Sequence, residues 1–224
     1  MQDYSTKSQT YFSGARREIE PLLPPKADRV LDLGCGSGGT LAWLKTTGRA
    51  RHAVGIEIFP AAAQQARQVA NEVLCLDFER DAISADLGRF DLILCLDVLE
   101  HLVDPWKAVD RLVRDFLDAG GTIIVSVPNV RHHSVLLPLA LGGRWDYASQ
   151  GLLDRTHLRF FTRDSALQLL EHPMLRAARC LRPGFDRGSA KSLFNAVSLG
   201  LFREFLAFHY VVAAVKLPSA KDAS

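Results

Sequence analysis

Short, almost continuously hydrophobic runs alternate with amphipathic segments along the first 130 residues. The hydrophobic runs predict five strands, at residues 29–33, 53–57, 73–77, 90–96 and 122–127. The segments between them have the apolar spacing of helices, at residues 40–47, 60–71 and 106–117. Strands that are hydrophobic at nearly every position are buried on both faces, which is typical of a parallel sheet with crossover helices. The pattern therefore predicts an α/β fold.

This alternation stops after Pro128. Residues 129–162 contain paired histidines, several arginines and three glycines, and they predict an insertion that covers one end of the sheet. Thr162 is a typical N-cap for a following helix, and residues 208–216 predict a closing strand.

Charge and cysteine content exclude several classes of protein. The 224 residues carry 27 Lys and Arg against 25 Asp and Glu, a net charge of +2 that gives no electrostatic footprint for nucleic acid. The balance is uneven, because residues 131–224 hold 13 basic and 7 acidic side chains. The four cysteines are far apart and form no metal-ligand or disulfide pattern. We expect a soluble, cytoplasmic protein with no transmembrane segment and no metal site.

The most informative local feature follows the first predicted strand. Residues 32–39 read Asp-Leu-Gly-Cys-Gly-Ser-Gly-Gly and lead into a predicted helix. Glycines allow a tight turn and close approach of a ligand to the backbone, while the helix N-terminus offers free N–H groups. Glu57 ends the second strand, where a carboxylate accepts hydrogen bonds from both hydroxyls of a ribose. The loop and Glu57 together also fit a nicotinamide dinucleotide.

Two further carboxylates narrow the choice of ligand. Asp32 lies inside the first turn, where its charge repels a pyrophosphate but suits an ammonium or sulfonium group. Asp77 ends the third strand and is placed to accept a hydrogen bond from an adenine amino group. A ligand with adenosine at one end and a positively charged amino acid at the other satisfies all three carboxylates. S-adenosylmethionine is such a ligand, and we expect it as the cofactor.

These residues resemble those of the class I S-adenosylmethionine-dependent methyltransferases. The resemblance rests on residues 30–38, 55–57, 75–77 and 90–102. It implies a Rossmann-like, doubly wound and mostly parallel seven-stranded sheet, with one antiparallel strand among the last. The residues that it implies for binding the donor are Asp32, Gly34, Cys35, Gly36, Glu57, Ile58, Asp77, Phe78 and Leu96. Tyr11, ahead of the amphipathic segment 15–23, is expected either to close over the site or to cap the core.

The same resemblance predicts how a single domain is divided. We expect an N-terminal cap helix in 1–25, a cofactor-binding core in 26–128, an acceptor-side insertion in 129–162, and a C-terminal helix with closing strands in 163–224. Ligands bind beyond the carboxyl ends of the strands in such folds, so the insertion faces the methyl group of the donor.

The acceptor is expected to be a small or glycan-like hydroxyl compound. Arginines outnumber acids in and beside the insertion, which suggests an anionic acceptor, although a solvated basic surface gives the same pattern. A histidine is the natural base for removing a hydroxyl proton. His157, with Asp154 to orient it, is the first candidate, and the pair His132 and His133 is the second. For His101 we expect a packing role.

The insertion narrows the resemblance further. Residues 128–147 and 151–162 are similar to methyltransferases of bacterial surface-polysaccharide gene clusters and, more distantly, to ubiquinone-type O-methyltransferases. This implies a hydroxyl on a sugar, nucleotide-sugar or lipid-linked glycan. A looser resemblance to MetW-type proteins implies the alternative of a catalytically silent protein that serves a partner. In either case the apolar run 135–141 is a lid, a membrane-surface or partner contact, or a buried helix.

Overall fold

A seven-stranded sheet organises the chain. The computed structural model describes residues 14–176, 178–183 and 190–218. The sheet has the order β3-β2-β1-β4-β5-β7-β6. Its strands are β1 Ala27–Leu33, β2 Ala50–Glu57, β3 Glu72–Cys75, β4 Phe90–Leu96, β5 Leu117–Pro128, β6 Arg179–Leu181 and β7 His209–Val215. The first five strands pair in parallel, and β7 runs antiparallel to both of its neighbours, β5 and β6. The expected sheet, with one reversed strand, is confirmed.

Seven α-helices accompany the sheet in the described part of the chain. They are α1 Gly39–Thr46, α2 Pro60–Ala66, α3 Pro105–Arg111, α4 His133–Gly142, α5 Arg163–Gln168, α6 Ala190–Val197 and α7 Arg203–Leu206. Short 3-10 helices span Arg17–Leu22, Ala85–Leu87 and Leu99–His101, and a π-helix spans Leu112–Phe116. No helix of the described residues is both long and apolar enough to cross a membrane.

Buried side chains form two hydrophobic clusters. One contains Leu31, Ile93 and Ile123 with α3 and α5, and the other contains Val30, Leu92 and Ile124 with α1 and α2. Neighbouring residues of one strand thus enter different clusters, because successive side chains of a strand point to opposite faces. Burial on both faces explains why the strands were hydrophobic at nearly every position.

The third predicted helix is shorter than the sequence indicated. The pattern predicted a helix over 106–117, whereas α3 ends at Arg111 and a π-helix carries the chain to Leu117, where β5 begins. Lys216, at the end of β7, donates through Nζ to the carbonyls of Val113 and Leu117, at 2.6 and 2.7 Å. A distant cation therefore satisfies the last carbonyls of this helix, and periodicity carries no signal for such a contact.

The described part of the N-terminal segment contains a shorter helix than expected. Residues 1–25 were predicted to form a cap helix, but those described contain a 3-10 helix, Arg17–Leu22, with Pro21 inside it. Proline removes a backbone donor and disfavours a continuing α-helix. Ile19 is fully buried and anchors the segment on the sheet. Tyr11, the predicted aromatic lid, lies outside the described residues.

The first and last residues of the insertion lie next to each other. Val130 N–H donates to the Phe161 carbonyl at 3.0 Å, so the two ends of the insertion are adjacent. The N–H groups of Leu158 and Arg159 both donate to the Glu100 carbonyl, which follows β4. These bonds hold the insertion at the carboxyl edge of the sheet.

Helix α5, which follows the insertion, begins with a capping box. Thr162 and Ser165 bond each other's backbone N–H groups. Thr162→Ala removes this cap and is expected to lower the free energy of unfolding by about 1 kcal/mol and the Tm by about 2–4 °C. Thermal denaturation followed by circular dichroism measures both. Thr162→Ser keeps the acceptor oxygen and should unfold like the wild type, whereas equal losses in both variants would contradict the role of the cap.

Candidate active site

The glycine loop lies between β1 and α1 and is shaped by left-handed backbone. Gly34, Gly36 and Gly38 have φ angles of +72°, +55° and +83°, which strongly favour glycine. A Cβ on Gly34 would lie 2.8 Å from Cγ2 of Val98, in the segment after β4. Cys35 fills the space beside Gly55 in β2, where an added Cβ would meet its Sγ at 2.5 Å. The loop therefore packs closely on both neighbouring strands and tolerates no side chain at these glycines.

Glu57, at the end of β2, is bound to this loop. Its Oε2 accepts from Gly36 N–H and its Oε1 from Phe59 N–H, both at 2.9 Å. The side chain is buried, and burial raises its pKa although the backbone N–H groups oppose the rise. Each oxygen keeps a lone pair for a further donor, so the carboxylate is fixed in place and still able to accept from ligand hydroxyls.

Asp32, at the end of β1, is the least compensated of the predicted carboxylates. It is 3% exposed, and burial together with the charge of Glu57 raises its pKa from 3.8 to about 8, against a lowering by Arg16. A buried carboxylate with a raised pKa favours a cationic ligand, because a nearby positive charge would stabilise its ionised form.

The predicted adenine-side residues lie around the end of β3. Asp77 accepts through Oδ1 from Glu79 N–H at 3.0 Å and is partly exposed. Phe78 is buried beneath the guanidinium of Arg111, 4.8 Å from its ring centroid, so only its backbone is available to a ligand. Ile58 is 51% exposed beside Glu57 and offers apolar surface to a base. Leu96, at the end of β4, is buried next to Asp97.

Arg16 is a site residue that sequence reasoning missed. From the N-terminal segment it reaches the carboxyl ends of β4 and β5, with Nη1 2.5 Å from Asp97 Oδ2 and Nη2 3.2 Å from Ser126 Oγ. Burial raises the pKa of Asp97, but the charges of Arg16 and His209 and the hydrogen bonds from Ser126 and Arg16 lower it more. Asp97 has a φ of +55°, which is uncommon outside glycine. No sequence pattern links an arginine ahead of β1 to the end of β4.

Glu100 lies behind Asp97, on the 3-10 helix that follows β4. It is 1% exposed, neither carboxyl oxygen has a hydrogen-bond partner, and its pKa is raised well above the usual range, first by burial and then by the charge of Asp97. Oε1 lies 3.9 Å from Nε2 of His157. An unsatisfied buried carboxyl is rare and calls for a ligand or a functional explanation.

His157 and His101 complete this cluster. Their rings meet edge to face with centroids 4.8 Å apart. The ligand atoms of Glu100, His101 and His157 lie within 4.8 Å of one another, and among the described residues this is the group able to hold a metal ion. The sequence predicted no metal site, because His157 lies on the insertion, far from Glu100 along the chain.

The ring of His157 lies between a backbone carbonyl and the carboxyl of Glu100, and its backbone N–H donates to the Asp154 carbonyl at 3.0 Å. Its Nδ1 lies 3.2 Å from the Leu152 carbonyl, and the carboxyl that faces its Nε2 is that of Glu100. Asp154, which was predicted to orient the ring, accepts through Oδ1 from the backbone N–H and hydroxyl of Thr156, at 3.0 and 2.8 Å. Asp154 thus shapes the turn that carries His157.

The second predicted pair lies at the start of α4. His132 is the N-cap of this helix, and its Nδ1 is 2.8 Å from Ser134 Oγ. His133 is exposed, with its ring centroid 4.1 Å from that of His132. The capping role fixes His132, whereas His133 faces solvent.

His209, at the start of β7, is another residue that the sequence did not single out. It pairs with Pro128 at the end of β5, and its Nε2 lies 3.8 Å from Glu18 Oε1. Burial and the charge of Arg16 lower its pKa more than the charges of Asp97 and Glu18 raise it. The imidazole therefore adds a titratable polar group to the Arg16 side of the site.

Comparison with known proteins gives a family and relatives. A family model described as a methyltransferase domain matches residues 8–172. The ubiquinone biosynthesis O-methyltransferase of Cereibacter sphaeroides is 28% identical over 209 residues, covering 89% of this chain and 78% of that protein. The protein of the same name from Alkalilimnicola ehrlichii is 36% identical over 140 residues, covering 58% of this chain and 52% of that protein.

Solved structures share the fold at lower identity. An S-adenosylmethionine-dependent methyltransferase from Archaeoglobus fulgidus superposes with a TM-score of 0.65 at 19% identity, covering 96% of this chain and all of that chain. A plantazolicin methyltransferase in complex with SAH has a TM-score of 0.59 at 19% identity, covering 93% and 82%.

The raised pKa of Asp32 predicts a dependence of stability on pH. The folded protein binds this proton more tightly than the unfolded chain, so the Asp32 contribution to the free energy of unfolding falls as the pH rises from 3.8 to about 8. Asp32→Asn removes the effect, and urea denaturation should show the variant gaining stability relative to the wild type across this interval. The exposed Asp28→Asn serves as control. A constant difference between wild type and Asp32→Asn would contradict the raised pKa.

Proposed function

Because the chain belongs to the methyltransferase domain family, we propose that it methylates the oxygen of a hydroxyl acceptor held beneath the 129–162 insertion. The chain is an S-adenosylmethionine-dependent methyltransferase; the acceptor and the roles of individual residues are the proposal. The observation that carries it is the orphaned carboxyl of Glu100, buried against two imidazoles at the edge of the sheet where ligands bind in this class of fold.

The donor site is built from the carboxyl ends of β1, β2 and β3. The glycine loop leaves room for a ligand against its backbone, Glu57 accepts from the ribose hydroxyls, and Asp77 accepts from the adenine amino group. Asp32 favours the positively charged amino-acid end, for the electrostatic reason given above. When bound, S-adenosylmethionine supplies an electrophilic methyl group on a sulfonium.

Arg16 holds the carboxylate of the donor. Its Nε bonds Glu18, its Nη1 bonds Asp97 and its Nη2 bonds Ser126, which uses three of its five N–H groups and leaves one on each Nη. Asp32 and Arg16 then provide an anionic and a cationic partner for the two charges of an amino acid. The planar guanidinium suits this role, because it bonds a carboxylate through two parallel N–H groups.

His157 acts as the base that removes the acceptor proton. A carbonyl only accepts hydrogen bonds, so the contact with the Leu152 carbonyl places the ring hydrogen on Nδ1 and leaves a lone pair on Nε2. Nε2 faces the cluster with Glu100. Proton removal at a positioned imidazole contributes about 10²–10⁴-fold to a rate.

The acceptor carries a negative charge, as in a nucleotide-sugar or a lipid-linked glycan. Arginines of the insertion support this, above all Arg159, whose Nε is buried without a hydrogen-bond partner while its Nη2 bonds the Val103 carbonyl. Guanidinium groups are well suited to phosphate and carboxylate recognition. The name O-methyltransferase of the curated relatives agrees with an oxygen acceptor.

Replacing Glu57 tests the donor site. Glu57→Gln keeps the shape but replaces one acceptor oxygen by an amide, so calorimetric titration should show affinity for S-adenosylmethionine falling about 10–100-fold. Glu72→Gln, an exposed change at the start of β3, is the matched control and should bind like the wild type. Undiminished binding by Glu57→Gln would rule out the ribose contact.

Replacing His157 tests the base separately from donor binding. His157→Gln should lower kcat about 10²–10⁴-fold while the Kd for S-adenosylmethionine stays unchanged. Release of SAH is followed with a panel of sugars, nucleotide-sugars, lipid-linked glycans and phenols, and circular dichroism checks that the variant folds. The exposed His133→Gln is the control.

A chelator distinguishes a metal-binding role of the Glu100, His101 and His157 cluster from the role of His157 as the base. If the wild type loses its activity in EDTA and regains it with a divalent cation, His157 is a metal ligand and not a free base. Full activity of His157→Gln would refute both roles.

A further inference from the structure

Large apolar side chains are exposed to solvent along the segment from α6 to the start of α7. We name as the 193–202 surface its six large apolar residues: Leu193, Phe194, Val197, Leu199, Leu201 and Phe202. Their exposed fractions range from 45% for Phe202 to 91% for Leu199. Scattered apolar residues are normal on a surface, whereas six within ten positions mark a contact site.

Leu199 shows that this exposure is not a by-product of the fold. It follows α6 with a φ of +52°, a conformation that glycine or asparagine adopts at less cost than leucine. Gly200, also left-handed, closes the turn by donating to the Asn195 carbonyl at 2.8 Å. The most exposed residue of the surface is therefore one whose side chain serves neither the core nor the backbone.

A cluster of arginines adjoins this surface. We name Arg131, Arg163, Arg182 and Arg203 the arginine cluster. Within the cluster, Arg182 pairs with Glu204, at 2.5 Å between Nη2 and Oε1, and Arg163 pairs with Asp164, at 3.2 Å. Burial raises the pKa of Glu204, but hydrogen bonds from Arg182 and Tyr210 and the charges of Arg182 and Arg163 lower it more. Residues 131–224 carry 13 basic and 7 acidic side chains, so this half of the chain is positively charged.

The cluster joins the 193–202 surface to the active-site edge. The guanidinium of Arg131 lies 5.6 Å from the ring centroid of Phe205, and this ring lies 6.1 Å from that of Phe202. Asn129, at the point where the insertion leaves β5, donates through Nδ2 to the carbonyls of Glu204 and Ala207, at 2.6 and 2.7 Å. These contacts place α7, and with it Phe202 of the surface, beside the start of the insertion.

Helix α4 adds a second exposed apolar element at this edge. It was expected to be a lid, a membrane-surface or partner contact, or a buried helix, and burial is wrong, because Val135 alone among its residues is buried. Leu137, Leu139 and Leu141 are exposed. The ring of His132, its N-cap, meets that of Phe208 edge to face at 5.4 Å, so α4 starts next to α7.

We propose that the 193–202 surface and the arginine cluster dock on an anionic lipid bilayer. Apolar side chains beside arginines match the acyl boundary and the anionic headgroups of a membrane interface. Nucleic acid offers phosphates but no apolar layer for the leucines. A second copy of the chain in a two-fold dimer would bring one arginine cluster close to its equivalent, so that like charges would repel each other. Docking is independent of the acceptor proposed above and places the insertion at the lipid surface.

Vesicle co-sedimentation of the full chain tests docking. The wild type should bind phosphatidylcholine vesicles that contain about a third phosphatidylglycerol, and bind more weakly to pure phosphatidylcholine and at high salt. Leu199→Asn suits the left-handed backbone and should fold at least as stably as the wild type while its partition coefficient falls about tenfold. Arg203→Gln should lower it about fivefold.

Matched controls lie on another part of the surface. Val103→Asn and Lys107→Gln change an exposed apolar and an exposed basic side chain near α3 and should bind vesicles like the wild type. Docking is refuted if the wild type stays in the supernatant, or if Leu199→Asn binds undiminished. It is equally refuted if light scattering shows a dimer that Leu199→Asn dissociates, because a second copy then covers the surface. Calorimetry with S-adenosylmethionine on the same samples reports the donor site independently.

Discussion

Burial of carboxylates at one edge of the sheet is the constraint on which the rest of the structure depends. Asp32, Glu57 and Asp97 end three adjacent strands, and each is compensated differently. Backbone N–H groups bind Glu57, Arg16 binds Asp97, and Asp32 responds with a raised pKa. Desolvated negative charge costs free energy unless a cation or hydrogen bonds offset it. A positively charged ligand at this edge would offset the remaining cost, and the proposed donor carries such a charge.

Local pattern predicted the five parallel strands and placed three carboxylates at strand ends. Five strands and their order along the chain follow from hydrophobic runs, because strands buried on both faces leave little choice of residue. The positions of Asp32, Glu57 and Asp77 follow from the strand ends. Helix ends were less predictable: α3 gives way to a π-helix after Arg111, and a lysine about 100 positions away binds the carbonyls of Val113 and Leu117.

The acceptor side could not be predicted to the same depth, because its contacts join distant parts of the chain. Arg16 meets Asp97 across 81 positions, and His157 approaches Glu100 from the insertion. Residue type alone suggested His157 as a base, whereas the carboxyl of Glu100 opposite its Nε2 is visible only in the structure. The sequence showed that residues 131–224 are basic and contain apolar runs. Only the exposed fractions of the side chains distinguished the 193–202 surface from a buried helix.

The closed ends of the insertion have a consequence for how such proteins diversify. Val130 and Phe161 are joined by one backbone hydrogen bond, so the segment between them departs from and returns to nearly the same position. Closing a loop of a different length between fixed neighbours changes the entropy of folding only slowly with length. Under the proposed function, an exchanged insertion would present a different surface to the acceptor, while the carboxylates assigned to the donor would stay in place.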